Sequence, residues 1–239
     1  MILRKFAHFV LVLLLLSGMG CGGHAASSGR LPANVMAHPA GTVAVVSASA
    51  EGTVERMMLA LGIPFQRIPL DTLVKLDLSD YRVMLIDEGA LDDPRAANGY
   101  PRLLARAKQG GTLLILQQSV DAMQKLRARV REVVSLREVD YRLTYRVAVS
   151  GDPIVRLPNS VTRADLDSLA LRSRQLARSG SESRAILAAN VLSPDSSATL
   201  LWEPVGSGKL WYCTFPLVAR AAAGFEAEQK MAANLLSEK

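Results

Sequence analysis

VMLIDEGALDD, Val83–Asp93, decides the fold. Four apolar residues, Val83 to Ile86, follow one another without a polar break and then run into acids and a glycine. A strand with one wet face alternates apolar and polar side chains. An unbroken run of this length, closed by turn residues, suits a strand covered on both faces, as in a parallel sheet. The pattern predicts a strand over 82–87. Two runs of the same kind lie on either side, TVAVV at 42–46 and TLLILQ at 112–117. Between the first two, Val54, Met57, Met58 and Leu61 recur at helical spacing, and Gly62 stops that helix. IPFQRIPL, 63–70, supplies a short further strand. Before TLLILQ, a helix is expected from about Pro101, a residue suited to a first helical turn, to Lys108, ended by Gly110 and Gly111. Strands separated by helices imply parallel pairing through crossovers. Strands 42–46, 82–87 and 112–117 should therefore share one sheet with their carboxyl ends on one edge.

Further along, Met123, Leu126, Val130 and Val133 give one apolar helical face, with the cations of KLRARVR, 125–131, off it. That basic stretch reads as a solvated surface. Residues 143–149 read as a strand. Thr162 and Asp165 have capping-box spacing, and Leu166, Leu169 and Leu176 are assigned to the apolar side of the helix that follows. Strands 199–203 and 209–215 are joined by the hairpin signal PVGSG, and a last helix covers about 226–236.

The order of these pieces, from VMLIDEGALDD through QGGTLLIL, LPNSVTRADLDSL and PVGSGKLWYCTFPL to MAANLL, resembles the class I glutamine amidotransferase-like fold. More narrowly, it is similar to degenerate modules of that fold found with bacterial carbohydrate-active enzymes, carboxypeptidase-like proteins and transporter-associated proteins. The expected fold class is α/β: a mostly parallel, amidotransferase- or flavodoxin-like sheet flanked by helices, with a C-terminal β-hairpin. The resemblance implies a cysteine nucleophile on a tight strand-to-helix turn, with a histidine and an acid. Here the turn after 112–116 reads Gln117-Gln118-Ser119, with no cysteine. The three histidines are His8, His24 and His38, all ahead of the α/β region. A base with a pKa near neutral is what such a mechanism uses, so glutamine hydrolysis is not expected.

The front of the chain says where the protein works. Arg4 and Lys5 precede an apolar run from Phe6 to Leu16, then Gly18-Met19-Gly20-Cys21. Eleven helical residues rise only about 16 Å, roughly half a bilayer core. A basic start, a short apolar stretch and small residues match a secretory signal. With Cys21 directly behind, the segment resembles the lipobox of bacterial lipoproteins, although Gly18 stands where leucine is usual. The resemblance implies cleavage before Cys21 and acylation of its thiol. Gly22 and Gly23 follow, without an aspartate to signal inner-membrane retention, which favours an outer membrane in a host with two. The organisation is a signal peptide at 1–20, a Gly/Ala/Ser/Pro-rich tether at 21–40 and one α/β domain at 41–239.

Composition narrows the chemistry. The net charge is +6, falling to about +4 without Arg4 and Lys5, and no aromatic-interleaved basic patch suggests nucleic acid. Zinc prefers cysteine and histidine, and the domain offers only Cys213, read as a buried inert thiol. Asp87, Glu88, Asp92 and Asp93 could attract a hard cation but lack calcium-loop spacing, and Asp92-Asp93-Pro94 reads as a turn and helix start. GSGK, 206–209, lacks P-loop spacing. No cofactor is implied. Open parallel sheets bind ligands beyond the carboxyl ends of their strands, which nominates Ser47, Ser49, Glu88, Gln117 and Gln118, groups suited to sugars or peptides. Three functions follow: a lipid-anchored, non-catalytic binding or scaffold module beside an envelope complex or polysaccharide, an envelope hydrolase working through carboxylate or serine without histidine, or a purely structural lipoprotein. A strongly shifted, buried carboxylate near Glu88 would speak for the hydrolase.

Overall fold

The computed structural model describes residues 43–49, 52–130, 134–139, 144–148, 151–170, 175–178, 182–189 and 197–237. The signal, tether and Cys21 lie outside them.

The three apolar runs form β1 (Val43–Val46), β3 (Val83–Ile86) and β4 (Thr112–Ile115), and β2 (Phe65–Ile68) lies in the 63–70 stretch. β1 pairs in parallel with β2 and with β3, and β3 pairs in parallel with β4. The expected shared sheet and common carboxyl edge are both present. Alternation explains why the runs are continuous. Val43, Val45, Val83, Leu85 and Leu114 enter one core, and Ala44, Val46, Met84, Ile86, Leu113 and Ile115 enter the other. Both faces of the sheet are covered, so apart from Thr112 at the start of β4 these strands carry only apolar residues.

α1 (Thr53–Ala60) buries Val54, Met57 and Met58 against the first core. α2 (Pro94–Lys108) and α3 (Val120–Arg127) cover the second through Tyr100, Leu103, Met123 and Leu126. α2 begins seven residues before the expected Pro101, which lies inside the helix. Asp93 caps it by accepting the Arg95 N–H at 2.8 Å, and Pro94 takes the first turn. Burial of Ala96, Gly99 and Tyr100 ahead of Pro101 outweighs the backbone bond that Pro101 cannot make. Gly99 is required there, since a Cβ would sit 2.2 Å from Leu73 Cδ2.

The second half adds the short strands β5 (Ser135–Glu138) and β6 (Tyr145–Val147), α4 (Arg163–Ala170), and the strands β7 (Gln175–Arg178), β8 (Arg184–Ala189), β9 (Ala198–Val205) and β10 (Gly208–Cys213). The chain ends in α5 (Val218–Ala222) and α6 (Glu226–Ser237). The sheet order is β2-β1-β3-β4-β10-β9-β7-β5, with β8 on β9 and β6 on β8. β10 runs parallel to β4, and β9 turns back antiparallel through a two-residue hairpin. Thr162 and Asp165 form the expected capping box: the Thr162 N–H donates to Asp165 Oδ2 at 2.8 Å and the Asp165 N–H to Thr162 Oγ1 at 3.2 Å. Leu176, assigned in sequence to that helix, lies in β7 instead. Its burial in the first core beside Leu166 and Leu169 comes from the sheet, not from helical spacing. The expected strand 143–149 is observed at Tyr145–Val147.

Candidate functional site

At the carboxyl edge of β1, β3 and β4, the nominated residues come together through the loop after β3. Ser47 follows β1, is only 4% exposed, and its Oγ donates to Asp87 Oδ2 at 2.8 Å. The same hydroxyl accepts the Ser49 N–H at 3.2 Å, folding the loop back on itself. Ser49 is exposed, and its carbonyl accepts a bond from Arg67. The Gly89 N–H donates to the Gln117 carbonyl at 2.9 Å, tying the β3 loop to the end of β4. Ser47, Glu88 and Gln117 thus share one edge.

Most of their polar capacity is engaged within the protein. Gln118 is buried; its Nε2 donates to the carbonyls of Asp87 at 2.7 Å and Leu116 at 2.8 Å, and its Oε1 accepts the Leu91 N–H at 2.9 Å. Glu88 Oε1 accepts the backbone N–H groups of Leu217 at 2.5 Å and Val218 at 2.9 Å. Those donors open α5 and have no partner within the helix, so Glu88 is the cap that short helix otherwise lacks. Ser119 caps α3 through the Ala122 N–H at 3.1 Å and donates to Asp92. The acidic group is accordingly dispersed over structural tasks. Among the described residues, no three His, Cys, Asp or Glu side chains are placed to share a metal ion.

Burial raises the pKa of Glu88 against the pull of the Val218 and Leu217 N–H bonds, and the Asp87 charge adds to the rise. Asp87 is likewise raised, first by burial, with the Ser47 and Glu88 hydrogen bonds opposing. The end of β10 faces this loop and contributes Thr214, Phe215 and Leu217, all buried. Cys213 is fully buried and its thiol is pushed far above the ordinary range by desolvation, which leaves no thiolate for nucleophilic work. Among the described residues, only glycines have positive φ, so the Gln117-Gln118-Ser119 turn holds no strained side-chain-bearing residue.

Among the described residues, one open space at this edge lies on the β2 side. A cavity of about 360 Å³ is lined by Ser47, Arg67, Asp71 and Arg95 among others, and Glu88, Gln117 and Gln118 do not line it. Sequence reading passed over Arg67, Asp71 and Arg95. Arg67 could have been found by applying the strand-end rule to IPFQRIPL. Arg95 becomes visible once the helix is started at Pro94.

No family model matches the sequence, and no curated protein matches it. Solved structures do resemble the fold. A cytoplasmic protein from Salmonella typhimurium LT2 superposes with a TM-score of 0.56 at 13% identity, over 82% of this chain and 98% of its own. A glutamine amidotransferase from Thermotoga maritima superposes with a TM-score of 0.53 at 8% identity, over 83% of this chain and 97% of its own. The fold is amidotransferase-like. A second cytoplasmic protein from Salmonella typhimurium gives 0.52 at 12% identity, over 82% and 97%. The turn after β4 carries Gln117, Gln118 and Ser119, and β10 ends at Cys213, with Thr214, Phe215 and Leu217 beyond it.

Proposed function

We propose that this chain is a lipid-anchored, non-catalytic module of the cell envelope that uses an amidotransferase-like fold to hold a ligand or partner. The observation that carries the non-catalytic part is the commitment of Glu88: both N–H bonds from the start of α5 end on its Oε1. Gln118 and Ser119, at the turn where a nucleophile would stand, are equally engaged in holding loops and a helix. The anchor rests on sequence. Two or more acyl chains hold a protein stably at a membrane, each buried methylene contributing about 0.8 kcal/mol, and Cys21 is placed to carry them.

A hydrolase working through carboxylates draws support from the raised pKa values of Asp87 and Glu88. A general acid must also reach a substrate. Glu88 turns inward to α5, and the cavity at this edge opens elsewhere. The experiment is ammonia release from glutamine by purified protein, alongside a Glu88→Gln variant. Steady release that depends on any domain residue overturns the non-catalytic reading; the expectation is background release from both proteins.

A further inference from the structure

In the parallel part of the sheet the strand order changes direction at β1: β2 lies on one side of it and β3 on the other. Crevices outside the carboxyl ends of parallel strands at such a point are where open α/β sheets hold ligands. Here that position is occupied by the 360 Å³ cavity, walled by Ser47 after β1, by Arg67, Pro69, Leu70 and Asp71 in and after β2, and by Arg95 at the start of α2. Its volume is at the low end for a small-molecule pocket, enough for one or two rings.

The lining also selects by charge. Arg67 Nε lies 3.8 Å from Glu55 Oε1, and Arg95 Nη2 lies 2.7 Å from Asp93 Oδ2. Arg95 Nη1 is 2.9 Å from Asp71, whose side chain is 75% exposed and accessible to a ligand. A free anion would meet the Asp71 carboxylate, and the two guanidinium groups already have acidic partners. A cation would meet two guanidinium groups. A neutral molecule with many hydroxyls meets planar guanidinium donors and the Asp71 acceptor without displacing the ion pairs that Arg67 makes with Glu55 and Arg95 with Asp93 and Asp71, and the exposed ring of Pro69 offers a face for its C–H groups. We propose that the cleft between the β1 and β2 ends, walled by Ser47, Arg67, Asp71 and Arg95, binds a neutral saccharide ring. This deepens the binding-module reading by naming the ligand class of its sheet edge, and it rests on that reading.

The test is saturation-transfer NMR on the full chain in detergent, with glucose, galactose, mannose and N-acetylglucosamine as separate probes and inorganic phosphate as competitor. A pocket this small and open should give a Kd of about millimolar order. Transfer to at least one sugar is expected, undisturbed by phosphate and reduced at least tenfold in a Asp71→Ala, Arg95→Ala double variant. Both side chains are at least half exposed, so folding should persist. Asp71→Asn, which keeps shape and removes the charge, serves as the second variant and should also weaken transfer. Lys125→Ala, in the separate cavity between α2 and α3, should change nothing. Silence across the four sugars, transfer that survives the double variant, or displacement by phosphate overturns the inference. Fatty-acid labelling at Cys21, scored on the same preparation, reports on the envelope reading independently of these outcomes.

Discussion

Glu88 is pulled in two directions: burial favours the protonated form, and two N–H donors favour the carboxylate. Burial wins, so the folded protein holds this proton, and that of Asp87, more tightly than the unfolded chain does. The sign follows. Where the folded state binds more protons, stability falls as pH rises. The contribution of these two acids is greatest below their ordinary values of 3.8 for Asp87 and 4.5 for Glu88, and it is lost as pH climbs through the raised folded values. Glu88→Gln keeps an oxygen for the Leu217 and Val218 N–H groups and removes the titration. Its thermal stability at pH 7 should equal or exceed wild type, with a flatter pH profile above pH 4. Glu88→Ala strips the acceptor from two part-buried donors and should lose about 1–3 kcal/mol in chemical denaturation. If the two variants prove equally stable, Glu88 is not the cap described. Arg67, Arg95 and Asp71 extend this residue-scale account to the cavity, where the proposed saccharide would meet guanidinium groups already ion-paired to carboxylates.

The hairpin between β9 and β10 is fixed by backbone contact. A Cβ on Gly208 would stand 2.1 Å from the Ala107 carbonyl oxygen and 2.2 Å from that of Gly111, so β10 closes directly onto the end of α2 and the start of β4. Backbone on both sides cannot yield as a side chain can. Gly208→Ala should therefore cost about 3 kcal/mol or more, read as a shifted denaturation midpoint, the upper end of overpacking effects; a loss below about 1 kcal/mol would contradict the packing. The elements legible in sequence are those whose pattern has one cause. β1, β3 and β4 were readable because both faces of each are buried, and the hairpin because Gly206-Ser207 turns between two apolar strands. β7 was not separable from helix, since a run as short as QLAR carries no clean period, and Leu176 was misassigned for that reason; β8 was not predicted. Pro101 misled because a local rule about proline was overridden by tertiary burial of Tyr100 and its neighbours. Strand ends located Ser47, Glu88 and Gln117 correctly. The partners of Glu88, 129 and 130 residues away, carry no local signal at all.

At the scale of the whole molecule, the described residues form an α/β/α sandwich with an amidotransferase-like sheet, and the proposed account places a leader and a small-residue tether ahead of it. The turn after β4 is spent on holding loops and a helix in place, and the crevice between the ends of β1 and β2 keeps a polar cavity whose arginines are ion-paired. Among the described residues, no helix is long and apolar enough to cross a membrane. On the proposed account, attachment depends on Cys21 alone, and the domain stands off the lipid surface by the length of the tether. The measurement that bears most directly on this is metabolic labelling with a fatty-acid probe, comparing wild type with Cys21→Ser and scoring label and membrane fractionation together. The account predicts that the wild-type chain labels and sediments with membranes, and that Cys21→Ser does neither. A Cys21→Ser protein that still labels and still sediments would contradict it.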